Sequence, residues 1–369
     1  MSRWLNLIIF TSLFLALLGC QVLPAESVIL PISSPQSITS NNRSDIPPNN
    51  IPSTPITPTS IPTSTFASEI EPSATPSRKV TLMAVGDIML GRTIGDLIES
   101  EGYQAPFFYT AETLNQADIT VGNLENPISE RGEPENKPYA FRAPLAAGQS
   151  LAFAGFDVVS LANNHSLDYG VEALQDTIDI LAVNQVLSVG AGMNDKEAYA
   201  PVFLEVNGLR LAFLAFAEIP AAVYDYTSWE ADTDKPGIAW AHPDRVQAGV
   251  QAAKVQADIV IVLVHNGYEF FETVTQHQQA FAHLAIESGA DLVVGSHPHV
   301  LQRIEQYQDG LIAYSMGNFV FDNFLFPPNL SGILKVELSE NGFEAYELID
   351  VVVQLNGVPQ VMPWRQYVE

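Results

Sequence analysis

The sequence has one cysteine, Cys20, in 369 residues. With that thiol acylated, as argued below, no disulfide is possible, and a metal site must be built from nitrogen and oxygen ligands. Positive charge is also scarce: 16 Lys and Arg stand against 42 Asp and Glu, a net charge of −26. Nucleic acid and anionic lipid surfaces are poor partners for such a chain, and no nucleic-acid partner is expected. The same acidity argues against a broad basic groove for a polyanionic polymer. An anion would have to be held locally, by a metal or a few arginines. There is no internal repeat of fixed period.

The first segment lacks the length of a comfortable membrane span. Arg3 is followed by an apolar run, Leu5–Leu18, shorter than the roughly 20 residues a bilayer requires. Leu17-Leu18-Gly19-Cys20 closes it and resembles a bacterial lipobox. The reading is a lipoprotein signal peptide over residues 1–20, with cleavage before Cys20 and lipidation of its thiol. The expected location is extracytoplasmic, on the cell membrane through the lipid anchor. An ordinary signal peptide or an uncleaved anchor is the competing reading.

Residues 21–78 have few aromatics and few charges but are rich in Pro, Ser, Thr and Asn. Such a segment cannot bury enough apolar surface to offset its ordering entropy, so it reads as a disordered tether. Residues 79–369 suit one α/β domain.

What that domain does have is a set of apolar runs that stop at polar clusters. Thr81–Val85 leads into Gly86-Asp87, and Ile119–Val121 into Gly122-Asn123-Leu124-Glu125. Val158–Ala162 leads into Asn163-Asn164-His165, Ile259–Val264 into His265, and Leu292–Val294 into Gly295-Ser296-His297-Pro298-His299. Short apolar runs read as buried strands, and α/β sheets place ligand sites at the carboxyl ends of their strands. Helices are expected at Thr93–Ser100, Leu145–Ala154, Val171–Val183, Arg245–Val255 and Thr275–Ser288. Asn207-Gly208 reads as the type I′ turn of a hairpin, and the C-terminal part is β-rich.

Each cluster has a chemical reading. Asp87 and Glu125 offer carboxylate oxygens, although Asp87 also suits a helix N-cap. Asn164 offers a neutral oxygen, and His165, oriented by Asp168, suits a general acid. His297 and His299 are two apart, which on an extended segment places both on one side as a metal-binding pair. His265 adds a third imidazole. His242, His277 and His283 read as surface or core residues.

The ordered motifs GDIMLGR, GNLENPIS, SLANNHSLDYG, VHNGYEF, GSHPHVLQ and YSMGNFVFD resemble the bacterial capsule-synthesis CapA family, linked to poly-γ-glutamate. That family is similar to calcineurin-like metallophosphoesterases. The resemblance implies a metallophosphoesterase-like four-layer sandwich: two central β-sheets flanked by helices, here with β-rich C-terminal hairpins. It implies metal ligands at Asp87, Glu125, Asn164, His265, His297 and His299, and a catalytic role for His165 with Asp168. Arg92, Arg142, Asn123 and Glu269 are the candidates for substrate binding. One or two divalent ions, Mn, Zn or Fe, are expected. Metallophosphoesterases carry Asp-x-His on the first strand, but Met89 stands at that third position, so one tight and at most one weak site is expected. The implied partners are a capsule polymer or poly-γ-glutamate and its synthesis machinery. The implied function is service to capsule synthesis or export, with metal-dependent hydrolysis of a phosphoester or γ-glutamyl amide as the alternative.

Overall fold

The computed structural model describes residues 78–220, 225–322 and 324–365. Cys20 and nearly all of residues 21–78 lie outside the described residues. Among those described, no helix is long and apolar enough to cross a membrane.

Two sheets form the centre. In the first, the strands Lys79–Ile88, Ile119–Leu124, Val158–Ser160 and Leu187–Val189 run parallel in that order. On the other side of Lys79–Ile88, the strands Leu330–Ser339, Gly342–Val353 and Pro359–Val361 continue the sheet antiparallel. A short strand, Asn318–Val320, runs parallel to the end of Lys79–Ile88. In the second sheet, Leu209–Glu218, Ile259–Asn266, Leu292–Ser296 and Gly310–Ala313 are parallel neighbours, with antiparallel edges at Val202–Val206 and Ile304–Tyr307.

The two-residue period of the strands decides which side chain faces which layer. Along the second sheet, Leu211, Phe213, Ile261, Leu263, Leu292 and Val294 pack in the main core with Leu82, Ala84, Val121 and Val159 of the first sheet. The alternate residues Leu214, Phe216, Val260, Val262 and Val293 pack against Val246, Val250, Phe281 and Ala285 of the helices Pro243–Lys254 and Gln276–Glu287. The parity that sends Ile261 and Leu263 between the sheets also sends His265 there, and Ser296 follows Leu292 and Val294 in the same way. Functional side chains therefore gather between the sheets, at the ends of the parallel strands.

The expected helices form within two residues of their predicted limits, the last one begun by a capping box on Thr275 and Gln278. Asn207 and Gly208 both have positive φ, 53° and 77°, as a type I′ turn demands. Short elements without apolar periodicity escaped the sequence reading: the helices Ala111–Leu114 and Asp195–Ala198 and the edge strand Ile304–Tyr307.

Two local expectations are corrected. The first strand does not stop at Val85 but carries Gly86 and Asp87 within it. Asp87 pairs in register with Asn123 and Asn318, and the next helix is capped by Gly91, so the N-cap reading of Asp87 fails. The segment after Ser296 is not extended. His297 and His299 have φ of 95° and 56°, in the left-handed region that L side chains rarely adopt. Their side chains meet because the backbone turns back on itself, not through strand alternation.

Candidate metal centre

Asp87 is fully buried at the middle of the site. Its Oδ1 accepts from Asn123 Nδ2 at 2.8 Å and lies 3.7 Å from His265 Nδ1. Its Oδ2 accepts the main-chain N–H of His297 at 3.2 Å and lies 3.3 Å from His299 Nδ1. Burial works to raise the Asp87 carboxyl, but its bonds to His299 and the charges of His299 and His265 hold it well below the usual range. Gly86 makes this placement possible. A Cβ there would lie 1.9 Å from the carbonyl oxygen of Gly317, which accepts the Asp87 N–H at 2.9 Å.

Glu125 follows the second strand, its N–H bonded to Ile88 O at 2.8 Å. Both its carboxylate oxygens are buried without a hydrogen-bond partner. The imidazoles stand just too far for one: His299 Nε2 at 3.6 Å and His165 Nε2 at 3.8 Å from Oε1. Burial, with the Asp87 carboxylate beside it, pushes the Glu125 carboxyl well above its ordinary value. An unpaired buried carboxylate next to a second acid is expensive: without a cation the group takes up a proton, and a bound cation would hold it ionised instead. The Nδ1 of His297 is likewise buried without a partner. These orphaned donor atoms fit a divalent ion.

The donor atoms form two groups. Those of Asp87, Glu125 and His265 lie within 4.8 Å of one another, as do those of Glu269, His297 and His299. Asn164 adjoins the first group, its Oδ1 2.8 Å from His265 Nε2. All six residues expected as ligands are therefore brought together. Burial pushes His265 down to about 3 and His297 well below its ordinary value, so both are neutral, the form that ligates. For His299, burial is outweighed by the bond and charge of Asp87, which hold it above. Asn318 Oδ1 takes the other side of His299 Nδ1 at 2.8 Å, leaving Nε2 directed at Glu125.

The candidates for substrate binding separate. Glu269 stands with His297 and His299 as a third donor, a role the sequence reading did not give it. Asn123 is buried, its amide committed to Asp87 and its carbonyl to Asn163 Nδ2 at 3.0 Å, so it cannot face a substrate. Arg142 stacks over Tyr169 and lines neither cleft at the centre. Arg92 does line one, paired with Asp322 and lying over the rings of Phe141 and Phe321. Met89 packs with Phe141 and Phe321 in a small apolar cluster instead of offering a donor.

The centre opens to two clefts that share Glu269. One, of about 280 Å³, is walled by Tyr139, Phe141, Phe270, Phe321 and Phe324 and reaches His165 and His299. The other, of about 260 Å³, reaches Asn164 and His297.

His165 lies flat against Phe141, centroids 4.2 Å apart, and its Nδ1 is 2.6 Å from Asp168 Oδ2. Behind them is a residue the sequence reading missed. Lys137 comes from an irregular, proline-broken loop, yet its side chain is 1 % exposed. It forms an ion pair with Asp168 Oδ1 and donates to the Asn164 carbonyl at 2.5 Å. Burial pulls the Lys137 ammonium below its ordinary value and lifts Asp168 to about 7, with their mutual attraction opposing both. Burial, reinforced by the Lys137 charge, pulls His165 well below its ordinary value.

Known proteins share this sequence over most of its length. The family described as Bacterial capsule synthesis protein PGA_cap matches residues 81–323. The capsule biosynthesis protein CapA of Bacillus anthracis is 32% identical over 288 residues, covering 75% of this chain and 68% of that protein. The PGA biosynthesis protein CapA of Bacillus subtilis (strain 168) is 32% identical over 270 residues, covering 72% and 70%. A probable polyglutamine synthesis accessory protein of Mycobacterium tuberculosis is 29% identical over 285 residues, covering 66% and 74%. Among solved structures, a hypothetical protein from Thermus thermophilus aligns with a TM-score of 0.47 at 17% identity, covering 73% of this chain and 98% of that one. The chain belongs to the bacterial capsule synthesis protein family PGA_cap.

Proposed function

We propose that this protein serves the synthesis or export of a capsule polymer of the poly-γ-glutamate kind, through a divalent metal centre, while anchored outside the cell membrane by a lipid on Cys20. The observation that carries the metal reading is the Glu125 carboxylate, buried with both oxygens unpartnered beside Asp87, His265 and His299. Asp87, Glu125, Asn164, His265, Glu269, His297 and His299 would hold the ion or ions. The donor set is all nitrogen and oxygen, which suits Mn, Zn or Fe. The names of the Bacillus and Mycobacterium relatives support the polymer and its synthesis machinery as partners.

A hydrolytic role is the second reading, and the His165 pair favours it. A divalent ion held here would supply Lewis acidity toward an amide or phosphoester. The protein's own part follows from its geometry. Asp168 takes the Nδ1 side of His165, so the bare Nε2 faces the centre, where it can take a proton from an attacking water and then pass it to the leaving group. Phe141 fixes the plane of the ring, and the aromatic wall of the larger cleft limits water. Among the described residues, Arg92 is the one arginine or lysine lining that cleft, and it suits an acidic substrate group.

The test is elemental analysis of the purified full chain, with turnover measured on phosphoesters and on poly-γ-glutamate. Stoichiometric Mn, Zn or Fe supports the centre. A chain that takes up no divalent ion from any of the three rules it out. Cleavage of either substrate class selects the hydrolytic reading, and metal without cleavage selects the non-catalytic one.

A further inference from the structure

We propose that Lys137 is a positioning residue of the centre, which sets the tautomer and orientation of His165 through Asp168 and ties the Asn164 backbone to the same point. The inference rests on the proposed metal-dependent reading and deepens it.

Five groups surround the Lys137 ammonium. It pairs with Asp168 Oδ1, donates to Asn164 O at 2.5 Å, lies 3.3 Å from His165 Nδ1, and sits over the rings of Tyr226 and Trp229 at 5.1 and 4.9 Å. Its side chain is 1 % exposed, so solvent offers no substitute partner. A buried ammonium without such a shell would be costly, and this one is met on every side.

The arrangement has a directional consequence. Asp168 has two oxygens, and the ammonium claims Oδ1. The other, Oδ2, is left for the main-chain N–H of Phe141 at 2.6 Å and for His165 Nδ1, also at 2.6 Å. Ion-paired to Lys137, Asp168 is a carboxylate and accepts only, so at 2.6 Å it is Nδ1–H that donates to Oδ2, and the 3.3 Å approach of the donor-only ammonium to Nδ1 is no hydrogen bond. The bare nitrogen is then Nε2, on the side of Glu125. The same ammonium holds the carbonyl of Asn164, whose side chain adjoins His265. One cation thus registers the proton-carrying imidazole against a neighbouring donor residue. Partners of this kind, one step removed from the donors, commonly govern how well a site works.

The experiment uses the metal-free full chain with ¹⁵N-labelled histidine, at one fixed pH. The His165 ring signals are identified by their disappearance in His165→Gln. The expected result is an Nδ1–H imidazole at His165 in the unsubstituted protein and in Lys137→Arg. In Lys137→Met and Lys137→Gln that pattern is lost to the other tautomer or to a mixture, while thermal unfolding stays cooperative. An Nε2–H imidazole in the unsubstituted protein overturns the proposal without any variant. An unchanged His165 pattern in a folded Lys137→Met or Lys137→Gln also overturns it. Manganese uptake is read on the same preparations. Absence of uptake by the unsubstituted chain counts against the metal centre, while the tautomer, read without metal, still decides the role of Lys137.

Discussion

The main-chain N–H of His297 donates to Asp87 Oδ2 at 3.2 Å, joining partners 210 residues apart. The bond links the end of a strand in one sheet to the end of a strand in the other. His297 reaches it with φ at 95° and His299 follows at 56°. Each such residue costs on the order of 1–3 kcal/mol, and it persists only where the surroundings dictate it. Here the surroundings are Asp87, Asn318 and the donor groups themselves.

The metal ligands and the proton carrier separate in a pair of variants. His297→Ala/His299→Ala removes two of the three donors of one group, and affinity should fall by at least the roughly 10–100-fold typical of more distant changes. His165→Ala should keep the metal and abolish any hydrolytic turnover. Stoichiometric metal in the double variant would show that the donors are misassigned. Full turnover in His165→Ala would remove its acid–base role and leave the metal site standing.

Metal should also stabilise the fold, because it meets a buried acid that lacks a partner. At a free concentration 100 times Kd the gain is about 2.7 kcal/mol. Differential scanning calorimetry before and after chelation measures it. An unfolding temperature unmoved by chelation and reloading would contradict the reading of Glu125.

The metal-free protein should lose stability on the acid side partly through His265. Its pKa falls from 6.5 to about 3 on folding because burial disfavours the charged ring. The unfolded chain therefore binds the proton more tightly. The stability due to the neutral ring is complete above 6.5 and is lost as pH falls through that value toward 3. Glu125 and Asp168, both raised, slope the opposite way, so the comparison is made by variant. His265→Gln should unfold in urea with a shallower dependence on pH between 6.5 and 3. An equal slope in both proteins would remove His265 from the acid response.

Gly86→Ala should damage fold and site together. The added Cβ would meet the Gly317 carbonyl oxygen at 1.9 Å, and backbone cannot move aside cheaply. Overpacking of this sort costs about 1–3 kcal/mol, and here it also displaces Asp87. Urea unfolding and metal content report the two effects, and wild-type values for both would show that the strands tolerate a wider gap.

The anchor is tested by mass. The mature chain should begin at a lipidated Cys20, and Cys20→Ser should release the protein from the membrane fraction. An intact mass with residues 1–19 still present, or an unmodified thiol, would refute the lipoprotein reading.

How much was legible from the sequence depended on periodicity. Apolar runs such as Ile259–Val264 announce buried strands, and their polar ends announce the site, so Asp87, Glu125, Asn164, His265, His297 and His299 are readable in one dimension. The type I′ turn at Asn207-Gly208 is readable because both residues tolerate positive φ. Lys137 and Glu269 lie in irregular segments, where no period tells an inward side chain from an outward one. Asn123 shared its cluster with Glu125, and only packing showed its amide turned to Asp87 instead of the cleft.

Local chemistry along the chain thus determined the strands, their order of polar ends and the donor types, since each follows from a few neighbouring residues. Tertiary structure alone decided which donors share a group, that Glu269 joins His297 and His299, and that Lys137 stands behind Asp168. Those are distances between segments far apart in sequence. They are set by how two sheets pack and by a backbone forced left-handed at His297 and His299, and no local pattern encodes them.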